Sequence, residues 1–209
     1  MVVNPNKSQV FFVNTPPATQ RNILIVLGFL RGSLPSKYLG IPLGLGRPQK
    51  ESWQELLDRL KQKLSSWVLR PLNFPSKLIL VKSILQAMST YLFSILAAPK
   101  SILKEIRRLQ RNFLWGGREE KAKFSLVCWE DVCRPKEQGG LGLRDPEVML
   151  KIQGAKVWWR WVNHTLDPWT KIWHIKYARD RPIQHLIRFN ESPSGSPLWL
   201  KALAGKNIV

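Results

Sequence analysis

Between residues 52 and 67 the chain reads SWQELLDRLKQKLSSW, and its apolar residues recur at helical spacing. Trp53, Leu56, Leu57, Leu60, Leu64 and Trp67 form one narrow stripe, while Arg59, Lys61 and Lys63 occupy the polar side. A stripe of this period is satisfied by an amphipathic helix packed along one face, and a strand of the same sequence would scatter it over both faces. Ser52 followed by Glu55 has the spacing of a capping box and predicts the start of the helix.

The same mode continues downstream. Pro75 and Ser76 open a second predicted helix that runs to about Ala97. It is apolar nearly all round, which predicts a central position. Pro99 forces a break, and Ser101 is placed to cap a third helix from Ile102 to about Trp115. At about 100° per residue, Ile102, Ile106, Leu109 and Phe113 lie within about 40° of one line. Lys104, Arg107, Arg108 and Arg111 cluster on the opposite side, with only Glu105 to offset them. The pair of glycines at 116 and 117 supplies a C-terminal stop. Further on, Asp145 and Pro146 predict a helix start, and that helix ends in KVWWRWV. Trp169, Trp173 and Tyr177 belong to a further short helix, and the chain from about Arg179 reads as loop.

The first 47 residues differ. SQVFFVN has the β-branched and aromatic content of a strand, and KYLGIPLGLG reads as a short strand broken by glycines and Pro42. The segment at 22–30 between them fits either a short helix or a strand. The predicted fold class is therefore mainly α, with short N-terminal strands ahead of a helical bundle and further helices.

Charge narrows the function. Lys plus Arg total 33 against 14 Asp plus Glu, a net +19. The surplus is +9 over residues 1–97 and +10 over residues 98–209, so no single basic tail explains it. A surplus of this kind favours a polyanionic partner, nucleic acid first. Gly139, Gly140 and Gly142 have neither the Lys-Ser/Thr of a P-loop nor the G-x-G-x-x-G spacing, and they read as a turn. Cys128 and Cys133 are the only cysteines, not spaced as Cys-x-x-Cys, and the three histidines are remote in sequence, so no metal site is expected. The apolar run at 78–98 is long enough to span a bilayer, but Lys82 and Gln86 interrupt it. It reads as a core helix, with no membrane partner expected.

Several stretches, in order, resemble one family: NPNKSQVFF, SKYLGIPLG, LILVKSIL, LQRNFLWGG, WEDVCRPKEQGGLGLRDP and AKVWWRWV. This succession is similar to that of plant non-LTR (LINE-type) retrotransposon reverse transcriptases, over about residues 4–177. The resemblance implies the end of a palm over residues 1–47, with Lys37, Tyr38 and Gly40 in a primer-grip-like strand. It implies a helical thumb over 48–117 and a helical connection over 118–178, while the loop-like composition over 179–209 predicts a poorly ordered tail. Where the family commonly has Gly-Arg before the apolar thumb helix, this chain has Ser76-Lys77.

The implied partner is an RNA or DNA template–primer, held nonspecifically through Lys37, Tyr38, Gly40, Lys77, Lys82, Lys104, Arg107, Arg108 and Arg111. A separate palm domain is a second implied partner, and the setting implied is nuclear or cytoplasmic. The parent activity is RNA-directed DNA polymerisation, in which paired carboxylates of fingers and palm hold two Mg²⁺ ions. This chain has five aspartates, Asp58, Asp131, Asp145, Asp167 and Asp180, no two adjacent. The chain as it stands is therefore expected to need no cofactor and to lack polymerase activity. The alternative reading is a helical module that docks on a palm domain or another protein.

Overall fold

In a computed structural model, residues 3–38, 40–44, 51–116, 125, 127–178 and 195–206 are described. The chain is mainly α and divides into two compact units, Met1–Pro48 and Gln49–Val209.

In the first unit, α1 (Pro17–Leu27) settles the ambiguity at 22–30 in favour of a helix, closed by Gly28 in the left-handed region. The expected strand at 8–14 shrinks to β1 (Gln9–Val10), which pairs in parallel with β2 (Leu30–Arg31). A side chain at Gly32 would collide with the Phe11 ring, so glycine lets the strand ends close. β3 (Ser36–Tyr38) and β4 (Ile41–Leu43) form an antiparallel hairpin that turns at Gly40, φ +78°. The single broken strand expected there is thus two strands.

The second unit is built from helices. In α2 (Glu51–Val68) the predicted stripe is the buried face: Trp53, Leu56, Leu57, Leu60 and Leu64 all point inward. Ser52 lies inside the helix rather than ahead of it, which corrects the capping-box start. α3 (Phe74–Ile95) begins one residue before the predicted proline, because the Asn73 side chain accepts a hydrogen bond from the Ser76 N–H. It contains a π-helical turn at Val81–Leu85. Its position is not fully central. Val81, Leu85, Gln86, Ser89, Leu92 and Phe93 are buried, whereas Ile79, Tyr91 and Ile95 are exposed. By length and composition this is the one helix among the described residues able to cross a membrane.

α4 (Lys100–Leu114) starts directly after Pro99, so Ser101 falls within its first turn and does not cap it. Ile102, Ile106, Leu109 and Phe113 are buried as their spacing predicts, packed toward α2 and α3. Trp67 of α2 lies against Phe113 with ring centres 5.6 Å apart. Trp115 ends the helix, and Gly116 follows at φ +73°. Gly117 lies outside the described residues.

Beyond it come the short α5 (Trp129–Cys133) and α6 (Pro146–Asn163). α7 begins as Pro168–Trp173 and continues as a π-helical turn, His174–Ala178. The loop expected from Arg179 onward ends in a helix, α8 (Pro197–Gly205), while 179–194 lie outside the described residues. Ser196 caps α8 by accepting from the Trp199 N–H, with proline at the first helical position. α8 packs closely along α6 because Gly154 and Gly205 face the partner backbone: a Cβ on either would collide with it. A second core forms here, in which Trp199 sits among Trp158, Trp161, Trp173 and Tyr177. Tyr177 stacks on Trp199 at 4.3 Å and 6°.

Lys201 joins this layer to α3. Its ammonium is buried and donates to the Phe93 and Ser94 carbonyls at 2.6 and 3.1 Å, where the last turn of α3 leaves acceptors without helical partners. Burial pushes its pKa down to about 8.

Candidate nucleic-acid interface

The outer face of α4 carries the four predicted cations, and the structure treats them unequally. Lys104 and Arg111 are exposed and have no carboxylate partner among the described residues. Arg108 forms a two-point pair with Glu105 one turn earlier, at 2.8 and 2.7 Å. That hydrogen bonding holds the Glu105 carboxyl below the ordinary carboxylate value, with Lys61 of α2 adding to the pull against partial burial. A partly exposed pair of this kind contributes about 0–1 kcal/mol.

Arg107 is different. Its guanidinium donates to both oxygens of Asp145, at 2.8 and 3.0 Å, and lies 3.7 Å from Glu147. The bond to Asp145 comes first among the causes that raise its already high pKa. Asp145 is buried, and it also accepts from the Trp129 indole at 2.9 Å and the Glu147 N–H at 2.8 Å. One carboxylate therefore caps α6, satisfies a buried tryptophan and anchors α4. A carboxylate has about four acceptor sites, and these four donors occupy them. The expectation that only Glu105 offsets the α4 cations is corrected: Asp145 and Glu147, some forty residues downstream, engage Arg107. This arginine is turned toward α6, not outward.

The remaining predicted residues are distributed as follows. Lys77 is half-buried near the start of α3, and Lys82 is half-buried on its π turn. In the first unit, Lys37 is exposed on β3, Tyr38 ends that strand, and Gly40 makes the turn. Leu39 lies outside the described residues.

The glycine-rich stretch is a closed turn. The N–H groups of Gly139, Gly140, Leu141 and Gly142 donate to the carbonyls of Lys136, Pro135, Val132 and Arg134 at 2.9–3.1 Å. None of these four is left to cradle a phosphate. A residue the sequence reading did not select, Lys136, lies on this turn with its side chain next to Gly142. Its signal was a cation placed three residues before a run of turn glycines.

Among the described residues the aspartates do not fit a pair of Mg²⁺ ions. Asp145 is saturated, Asp58 accepts from Gln54, Asp131 pairs with Arg134, and Asp167 accepts from Arg160 and Trp169. Asp180 lies outside the described residues. No group of three or more His, Cys, Asp or Glu side chains placed to hold a metal occurs among the described residues. Cys133 is half-buried on α5, and burial together with the nearby Asp145 charge pushes its thiol up to about 12.

No protein-family model matches the chain. It is 36% identical over 137 residues to a putative ribonuclease H protein of Arabidopsis thaliana, an alignment that covers 66% of this chain and 22% of that protein. It is 26% identical over 124 residues to an uncharacterized mitochondrial protein of Arabidopsis thaliana, covering 59% of this chain and 79% of that protein. The chain thus spans about a fifth of the length of the first relative and about four fifths of the second.

Proposed function

We propose that this chain is a retroelement-derived, reverse transcriptase-like protein that binds the backbone of a template–primer or other nucleic acid without sequence preference. The observation that carries this reading is α4. One face is core, the other presents Lys104 and Arg111 bare and Arg108 in an exchangeable pair, on a chain of net charge +19. Phosphate contacts position a protein without specifying sequence, which is what a polymerase thumb requires. The two Arabidopsis proteins fit a retroelement origin, and the order of motifs adds the thumb and connection assignment.

On this reading the chain is not itself a polymerase, since no two of its five aspartates are adjacent in sequence as a metal-holding pair would be. Primer extension by the purified chain with Mg²⁺ or Mn²⁺, above a no-protein control, would overturn that part. The binding part is tested by titrating labelled duplexes of unrelated sequence at several salt concentrations. Equal affinities that fall together as salt rises are expected.

A second reading has its own observation. Trp159 of α6 and Leu166, Ile172 and Ile175 after it are exposed, as are Ile25 and Val26 of α1. Exposed apolar side chains of this size favour a protein partner, such as a palm domain. Association with a separately expressed palm, lost on Trp159→Ser, would favour it.

A further inference from the structure

The π-helical turn of α3 carries Lys82, and that lysine meets the glycine turn. A Cβ placed on Gly142 would lie 3.6 Å from the Lys82 Nζ and 3.8 Å from the Lys136 Cγ. The Lys82 ammonium and the stem of the Lys136 side chain, from elements more than fifty residues apart, therefore approach one glycine. Neither makes an ion pair among the described residues, and Glu137, next to Lys136, makes none with them either.

Three features fix the arrangement. The π turn inserts an extra residue into α3 and so re-aims the side chains of Val81–Leu85, a device frequent where a helix serves a ligand. The glycine turn is rigid because its four successive N–H groups are spent internally. The Gln86 side chain, one turn past Lys82, donates to the Arg144 carbonyl at 3.0 Å and ties the turn to α3. Gly142 itself sits at φ +63°, a conformation that suits glycine, and its missing side chain leaves room beside both lysines.

We propose that Lys82 and Lys136 form a two-point phosphate site across Gly142, a backbone contact separate from the α4 face. It rests on the nucleic-acid reading above and adds a residue to it. The ligand is a nucleic-acid phosphate, bound as a charge without base contacts, so the site adds affinity and register but no sequence preference.

The test uses the full chain and a labelled duplex DNA of mixed sequence, with affinity measured across a salt series. Each phosphate contact contributes about 0.9 to the slope of log affinity against log salt. Lys136→Gln and Lys82→Gln should each lower that slope by about 0.9, and together by nearly 2. Lys82→Arg and Lys136→Arg should retain it. Gly142→Asn fills the space at a strained left-handed position, so it should weaken binding and lower the thermal midpoint somewhat, and its affinity is compared at a temperature where it is fully folded. If Lys82→Gln disturbs folding, the exposed Lys136 carries the test alone. Wild-type slope in both Gln variants, on a wild-type chain that does bind in a salt-dependent way, overturns this site and leaves the α4 reading standing. A wild-type chain with no salt-dependent binding overturns both.

Discussion

Arg107 and Arg111 stand one turn apart on the same helix, on the same polar side, and the fold assigns them opposite tasks. Arg107 reaches the first turn of α6 and is held by a buried carboxylate, whereas Arg111 is exposed with no such partner among the described residues. The difference does not come from an acidic neighbour on α4, since neither arginine has one three or four residues away. It comes from Asp145, which the chain delivers 38 residues later to the flank of α4 nearest α6. A net charge read from sequence counts every cation alike, yet only those that tertiary structure leaves without a carboxylate are ready for a polyanion.

That contrast can be broken from the core outward. The largest effect is expected from Phe113→Ala, which empties a buried site packed on Trp67. It should cost about 3–5 kcal/mol in chemical denaturation, with little change in the salt dependence of binding for the fraction still folded. Asp145→Ala comes next. It removes a helix cap worth about 1 kcal/mol, leaves the buried Trp129 N–H without an acceptor at about 1–3 kcal/mol, and frees a partly exposed arginine. A loss of about 2–4 kcal/mol is expected, and the salt slope should rise as Arg107 becomes available to phosphate.

A smaller effect concerns Lys201, whose folded-state pKa of about 8 lies below the ordinary lysine value of 10.5. Between these values the unfolded chain holds a proton that the folded chain has released, so this group makes stability rise with pH in that window. Cys133 acts in the opposite sense. Its thiol is raised from 9 to about 12, so its contribution is present below pH 9 and is lost as pH climbs above it. The clean interval is therefore pH 8 to 9, where wild type should gain about 1 kcal/mol relative to Lys201→Met. Parallel pH profiles for the two proteins would contradict this account of the α3 cap. The smallest stability effect, within about 0.5 kcal/mol, is expected from Lys104→Gln with Arg111→Gln, since both side chains are exposed.

Much of this was legible before any coordinates. The stripe of α2 and the core line of α4 follow from period alone, because an apolar residue every third or fourth position has one way to be buried. The Asp145 cap and the turn at the glycines were legible from local chemistry. The helix at Pro197–Gly205 was missed although its signals were present: a serine cap, proline at the first position, then good helix formers. The loop-like composition of the residues before it hid them. By contrast, the π turn of α3, the engagement of Arg107 by Asp145 and the meeting of Lys82 with Lys136 had no local signal. Each depends on where the chain returns after a long separation, and side chains that meet that way leave no periodicity.

The central claim is that one face of α4 is divided between structure and phosphate. The most direct measurement is the slope of log affinity against log salt on duplex DNA for wild type, for Arg107→Gln, and for Lys104→Gln with Arg111→Gln. The double variant should lose about 2 from the slope with its stability intact, while Arg107→Gln should keep the slope and lose stability. The reverse pattern, with Arg107→Gln lowering the slope and the double variant leaving it unchanged, would contradict the account.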